Sequence, residues 1–219
     1  MQGISTYRLV GLDPSAESIV LNLDNVYNLM QLSGVSNLYQ VMASNPTQEL
    51  TLNTYAFYNC SRLALVSLAG LTYIPSYAFY NCSSLEEAIF PKAANIYPYA
   101  FMGCSNLSHL ELSSSLYYVG EYALASTRLP SVLDLTNCNT WGSYAFANCL
   151  GLEDVTINSF SNNNSYINSV FKGAKDLKRV TYLGTRIHGS DRYNNPSGCC
   201  SMFADCSQLS EVYMQNLSW

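Results

Sequence analysis

His109 and Glu111 lie two residues apart, and Glu87, Asp134 and Asp154 recur at related intervals on either side of them. An imidazole beside a carboxylate is a general acid–base pair, provided that a pocket excludes water and tunes both groups. Three or four carboxylates together would suit a divalent cation, although no acidic loop motif accompanies these. A plainer reading needs no chemistry, since charged side chains are normal on a solvated face. Cysteine is the other reactive type. Five of the eight, Cys60, Cys82, Cys104, Cys149 and Cys206, occupy one recurrent place, which elsewhere holds Val35, Thr127 and Ala174. A place that accepts Cys, Val, Thr and Ala is small, buried and weakly polar, which speaks against disulfides. The chain has no Cys-x-x-Cys pair and only two histidines, so a zinc site is not expected either. Cys138, Cys199 and Cys200 fall outside the series.

What positions these residues is a repeat. Tyr55-Ala56-Phe57 returns as Tyr77-Ala78-Phe79, Tyr99-Ala100-Phe101, Tyr122-Ala123-Leu124 and Tyr144-Ala145-Phe146. The steps are equal except the one from Phe101 to Leu124, which is longer by a single position. Self-similarity at such a period marks a solenoid, in which each coil buries its apolar face against the next. Counting from the Phe, the residues nine and eleven later are apolar: Val66 and Leu68, Ala88 and Phe90, Leu110 and Leu112, Leu133 and Leu135, Val155 and Ile157, Val180 and Tyr182, Val212 and Met214. That alternation predicts a short, half-buried strand in every coil. A further apolar residue five before the Phe (Leu52, Ile74, Ile96, Val119, Trp141, Tyr166) supplies the opposite wall. Later copies begin at Phe171 and Phe203, an earlier one at Leu32, and Leu12 with Leu21 and Leu23 suggests one more. The expectation is a single domain over residues 1–219. Degenerate coils fill 1–50 and clear ones 51–219. Polar, turn-rich insertions lie at 159–165 and 184–198 and should bulge from the surface without breaking the stack.

The outward residues follow by subtraction. Eight after the Phe stand Leu65, Glu87, His109, Val132, Asp154, Arg179 and Glu211, and ten after it Ser67, Ile89, Glu111, Asp134, Thr156, Thr181 and Tyr213. With strands about 4.8 Å apart, Glu87, His109, Glu111, Asp134 and Asp154 should approach one another on one sheet face. Together with Thr156, Arg179, Glu211 and Tyr213 they form the candidate binding surface. No catalytic, metal or cofactor site is expected, since an open face does not exclude water.

Charged residues are only 11%, net charge is −5, and Tyr (18), Ser and Asn are plentiful. Such a neutral, hydroxyl-rich surface suits protein or glycan, whereas the lack of a basic stripe argues against nucleic acid or anionic lipid. No apolar run is long enough to cross a membrane, and no leader pattern opens the sequence. A cytoplasmic protein or a piece of a longer exported one is therefore expected. The tyrosines two before the Phe could stack sugars or simply pack coil on coil. Arg186, His188, Asp191, Arg192 and Tyr193 form a non-repeating contact element or a tolerated insertion. Asn59-Cys60-Ser61 and Asn81-Cys82-Ser83 match a glycosylation acceptor, but their periodicity favours a structural role for Asn in capping the turn.

The unit Ala-Phe-x-x-Cys-x-x-Leu-x-x-Val-x-Leu, with its apolar residue five before the Phe, resembles the BspA-like (Treponema pallidum-type) leucine-rich repeat over residues 27–214. Leu124-Ala-Ser-Thr127-Arg-Leu129 resembles a shorter form of it. The resemblance implies a leucine-rich repeat solenoid of α/β class: a right-handed, curved superhelix with short parallel strands on the concave side and irregular or 3₁₀ structure on the convex side. It also implies a surface or extracellular protein that binds host protein, other cells or matrix, as host-associated adhesins do, and the expectation is a non-enzymatic monomer that binds protein or glycan on its concave face. The alternative is a structural or virion-associated, tail-type receptor-binding component of similar composition.

Overall fold

The computed structural model describes residues 17–29, 31–158, 169–184 and 201–216. Leu12, Tyr166, Cys199, Cys200, the insertion at 159–165, the loop residues 186–193 and the rest of the second insertion apart from Gly184 lie outside them. Among the described residues fifteen strands are laid down in chain order. The first eight are β1 (Ile19–Asn22), β2 (Asn28–Leu29), β3 (Leu38–Ala43), β4 (Thr51–Leu52), β5 (Leu65–Leu68), β6 (Tyr73–Ile74), β7 (Glu87–Phe90) and β8 (Asn95–Ile96). They continue as β9 (His109–Leu112), β10 (Tyr118–Val119), β11 (Val132–Leu135), β12 (Thr140–Trp141), β13 (Asp154–Ile157), β14 (Arg179–Tyr182) and β15 (Glu211–Met214). The described residues contain no helix, and the convex side is built of turns.

Three walls close each coil. The longer strands pair in parallel as β1-β3-β5-β7-β9 and as β11-β13-β14-β15, forming the concave wall. The two-residue strands form a second wall, β6-β8-β10-β12, with β2-β4 preceding it. From β4 onward they end on the apolar residue five before the Phe, which the sequence marks as a core position without revealing that it sits in a strand. The third wall is the turn carrying Ala-Phe. There the Phe57 amide donates to the Ala78 carbonyl, Phe79 to Ala100, Phe101 to Ala123 and Leu124 to Ala145, each at 2.8 Å.

That turn is held in shape by left-handed residues at both ends. Tyr55, Tyr77, Tyr99, Tyr122 and Tyr144 have φ between 50° and 63°, and the position two after the Phe is left-handed as well, at Asn59, Asn81, Ser126, Asn148 and Asp205. Asn and Asp tolerate this conformation better than other side chains, and Gly103 and Gly173 adopt it at the same position. The role of Asn59 and Asn81 is therefore to turn the backbone, where the sequence suggested a cap. Farther along the coil, Gly142 stacks so closely on its neighbour that a Cβ would lie 2.1 Å from the Glu121 nitrogen.

The core runs the length of the stack. Phe57, Phe79, Phe101, Phe146 and Phe171 are fully buried, with Phe79 5.1 Å from Phe101 and Phe146 5.0 Å from Phe171, ring planes nearly parallel. Leu124 interrupts the column. Upstream, Leu32 takes the Phe position as expected, its amide bonding the Ala56 carbonyl, and Leu21 and Leu23 are buried. A buried polar side chain, Gln48, stitches these first coils by donating to the Leu23 and Val26 carbonyls and accepting from the Asn25 amide.

One wall is broken. Among the described residues no ladder joins β9 to β11, although the strand walls and turns on the other two sides continue past this point. The local sequence gives the reason. Leu129 stands one position closer to its reference residue than Leu107 and Leu152 do to theirs. Pro130, which has no amide hydrogen, follows it. An added residue then restores Leu133 to the usual register, opposite Val155. Ser113–Ser115 also hold one residue more than the matching stretch after Phe90. This coil instead binds forward, with the Leu129 amide on the Leu150 carbonyl and the Leu150 amide on the Thr127 carbonyl.

Candidate binding face

Alternation along the concave strands places the charged residues outward and the aliphatic ones inward. In β5, β7 and β13 the inward Val66, Leu68, Ala88, Phe90, Val155 and Ile157 are buried, and the outward partners are half-buried. Glu87, His109 and Glu111 lie on the first concave sheet, while Asp134, Asp154, Thr156, Arg179, Glu211 and Tyr213 lie on the second. The sequence expectation of one continuous cluster from Glu87 to Asp154 is corrected here. The break between β9 and β11 divides it, because the register shift around Pro130 removes the spacing on which that cluster depended.

Each half has its own electrostatics. His109 Nε2 stands 3.9 Å from Glu87 Oε1, and its side chain is 61% exposed. That distance is beyond hydrogen bonding, and the imidazole is open to water. In the second half Arg179 bridges two carboxylates. Its Nε donates to Glu211 Oε2 at 2.7 Å, and Nη1 reaches both Asp154 oxygens at 3.1 and 3.2 Å. The Arg179 hydrogen bond holds Glu211 below the usual carboxylate range, and Tyr213 adds a hydroxyl donor at 3.2 Å. Asp134 turns back on its own strand end, accepting from the Thr136 amide at 2.9 Å.

The N-terminal half of the face interleaves apolar Met42, Leu65 and Ile89 with polar Gln40 and Ser67. Met42 pairs in register with Ser67, Ser67 with Ile89, and Leu65 sits between Gln40 and Glu87. The signal was available, since the same subtraction that exposes Glu87 also exposes Leu65 and Ile89.

On the turn wall the tyrosines stack on one another. Tyr55–Tyr77, Tyr77–Tyr99 and Tyr122–Tyr144 have ring centroids 4.8 Å apart, and Tyr99–Tyr122 5.3 Å. Faces occupied by neighbouring rings are not offered to a sugar, so the geometry is that of coil-on-coil packing. Behind them the thiols do similar work. Cys60, Cys82, Cys104 and Cys206 donate to the Leu32, Phe57, Phe79 and Phe171 carbonyls of the preceding coil, each at 3.1 Å. Burial pushes Cys60 up to about 11 and Cys149 to about 12. Cys138, without a role in the sequence reading, is a buried thiol facing the Tyr117 carbonyl at 3.5 Å. Among the described residues the cysteines are free thiols, and no group of acidic, His and Cys side chains is arranged to hold a metal ion.

The family model for the BspA type leucine rich repeat region matches residues 50–178 in six copies. This chain belongs to the BspA-type leucine-rich repeat family. Its fold is similar to the crystal structure of a leucine-rich repeat protein from Bacteroides ovatus, with a TM-score of 0.64 and 22% identity, over 88% of this chain. The chain spans 53% of that structure's length. No curated protein sequence matches it. BspA-type repeats point to a protein-interaction module, are typically non-enzymatic and are often surface-associated. No helix among the described residues is long and apolar enough to cross a membrane.

Proposed function

We propose that this BspA-type solenoid is a surface or extracellular adhesion module that binds a protein ligand, host or matrix, on its concave face as a monomer. The observation that carries this reading is the division of that face into an apolar field (Met42, Leu65, Ile89) and a carboxylate field (Glu87, Glu111, Asp134). Arg179 compensates Asp154 and Glu211 at the far end. Solenoid concavities are common binding surfaces, and apolar area next to uncompensated charge favours a protein with an aliphatic ridge flanked by lysine or arginine. The stacked tyrosines, with ring faces already used, count against a glycan ligand.

The test is an array of matrix and cell-surface proteins beside a glycan array, probed with the intact chain. Binding to a protein should weaken when Leu65→Asp and Glu87→Lys are introduced and persist when Tyr77→Phe changes the turn wall. A ligand that tolerates both concave substitutions, or that is a glycan sensitive to the tyrosines, would refute the proposal.

A further inference from the structure

The break in the concave wall has properties that no other place in the described sheet shares. Strands β9 and β11 each carry one edge without a ladder partner among the described residues, inside the sheet and away from its ends. Of their inward residues, Leu110, Leu112 and Leu133 remain half-buried and Leu135 is buried, whereas the corresponding Val66, Ala88, Val155 and Val180 are all buried. Val132, beside them, is 63% exposed. The rim is acidic, with Glu111 on β9 and Asp134 on β11.

Unpaired backbone edges over incompletely covered aliphatic side chains are what an added strand satisfies. Main-chain hydrogen bonds supply the affinity, and alternate side chains the specificity. We infer that the break between β9 and β11 is a strand-addition site for an extended partner segment that alternates aliphatic with basic residues. The inference rests on the concave-face reading above and names the conformation and chemistry of the ligand. Alternation decides the chemistry. Side chains directed inward from an added strand cover Leu110, Leu112 and Leu133, and those directed outward meet Glu111 and Asp134, where lysine or arginine is complementary. An acidic or uniformly polar segment satisfies neither side. The forward bonds of Leu129 and Leu150 hold the coil in place while the concave wall stays open.

The experiment uses the full chain and two probes: an acetylated, amidated peptide alternating lysine and valine, and the same peptide with alternate backbone amides methylated. Titration is read by calorimetry, and hydrogen exchange locates the contact. The first peptide should bind saturably and protect the amides of β9 and β11. Methylation should weaken it by about tenfold or more, since it removes donors while keeping charge. E111K together with D134K should also weaken it by about tenfold, as reversed charges at an interface do. These substitutions are on exposed positions, and circular dichroism checks that the fold persists. Equal binding of the methylated peptide would overturn strand addition while leaving the concave face as a charge-based binding surface. Protection confined to β5 and β7 would do the same. Binding unaffected by the charge reversals, with no protection anywhere on the concave strands, would overturn both readings.

Discussion

A thiol at the centre of a coil is a packing group with one weak hydrogen bond to give. Cys60, Cys82 and Cys104 each hand that bond to a carbonyl of the coil before, and burial raises all three above the ordinary value of 9.0. Unfolded, such thiols lose their protons near 9.0, whereas folded Cys60 holds on to about 11 and Cys138 and Cys149 to about 12. A folded-state value above the unfolded one means that this contribution to stability is complete below about pH 9 and drains away towards pH 12. Guanidinium titrations at pH 8, 9.5 and 10.5 should therefore show falling stability, and Cys104→Val, the residue type that Val35 already places there, should flatten the fall. In the native state Ellman's reagent should leave Cys60, Cys82, Cys104, Cys138 and Cys149 untouched and label them after denaturation. The tyrosines carry a different strain. Tyr99 has a positive φ, as its counterparts in the other coils do. Such a conformation costs an ordinary side chain about 1–2 kcal/mol and glycine nothing. Tyr99→Ala and Tyr99→Gly both lose the ring stack, so their stabilities should differ by about 1 kcal/mol in favour of glycine. A reversed order in denaturant melts would mean that the turn is not left-handed. The sequence shows these tyrosines as periodic. It does not show their backbone, because Tyr is not a residue whose presence signals a positive φ.

At the level of strands, the inward and outward positions were legible from Val66, Leu68, Ala88 and Phe90, because a two-residue period has only one way to face a core. The second wall was half legible: Ile74, Ile96 and Val119 were evident as core residues, but two-residue strands leave no alternation to detect. The break at β9 and β11 was not legible. A missing residue before Leu129 and an extra one after it cancel in the count, so Leu133 kept its expected position while the pairing on one side was lost. The candidate face could therefore be read in its alternation but not in its continuity. Within the second sheet, the register Asp154–Arg179–Glu211 makes Arg179 the common partner of two carboxylates. Arg179→Ala should raise the Glu211 pKa towards the usual carboxylate range in an NMR titration. Glu211 is held low in the native state, so whatever this pair adds to stability is present at neutral pH and fades as pH falls through the Glu211 titration. High salt should shrink the effect, as it does for exposed pairs.

For the whole molecule, stability is close to a sum of coils and their interfaces, with no coil indispensable to a distant one. The stretch Tyr77–Pro98 is one complete period, and Tyr55 and Tyr77 bond forward to Ser76 and Pro98 in the same manner. Excising those residues should bring Tyr99 against Tyr55 and leave the rest of the stack intact. The expected outcome is an unchanged circular dichroism shape and a urea m-value lower by about a tenth, in proportion to the surface lost. A shortened chain that binds hydrophobic dye or melts without cooperativity would show that the coils are not equivalent. The equal steps from Phe57 to Phe79 to Phe101, and the longer one on to Leu124, carry a genetic corollary. Unequal crossing-over among the equal units can lengthen or shorten the protein without disturbing either flank. A crossover that copies the coil carrying Leu129 and Pro130, by contrast, also copies its opening, and a lineage that gained one would gain a second mouth in the wall.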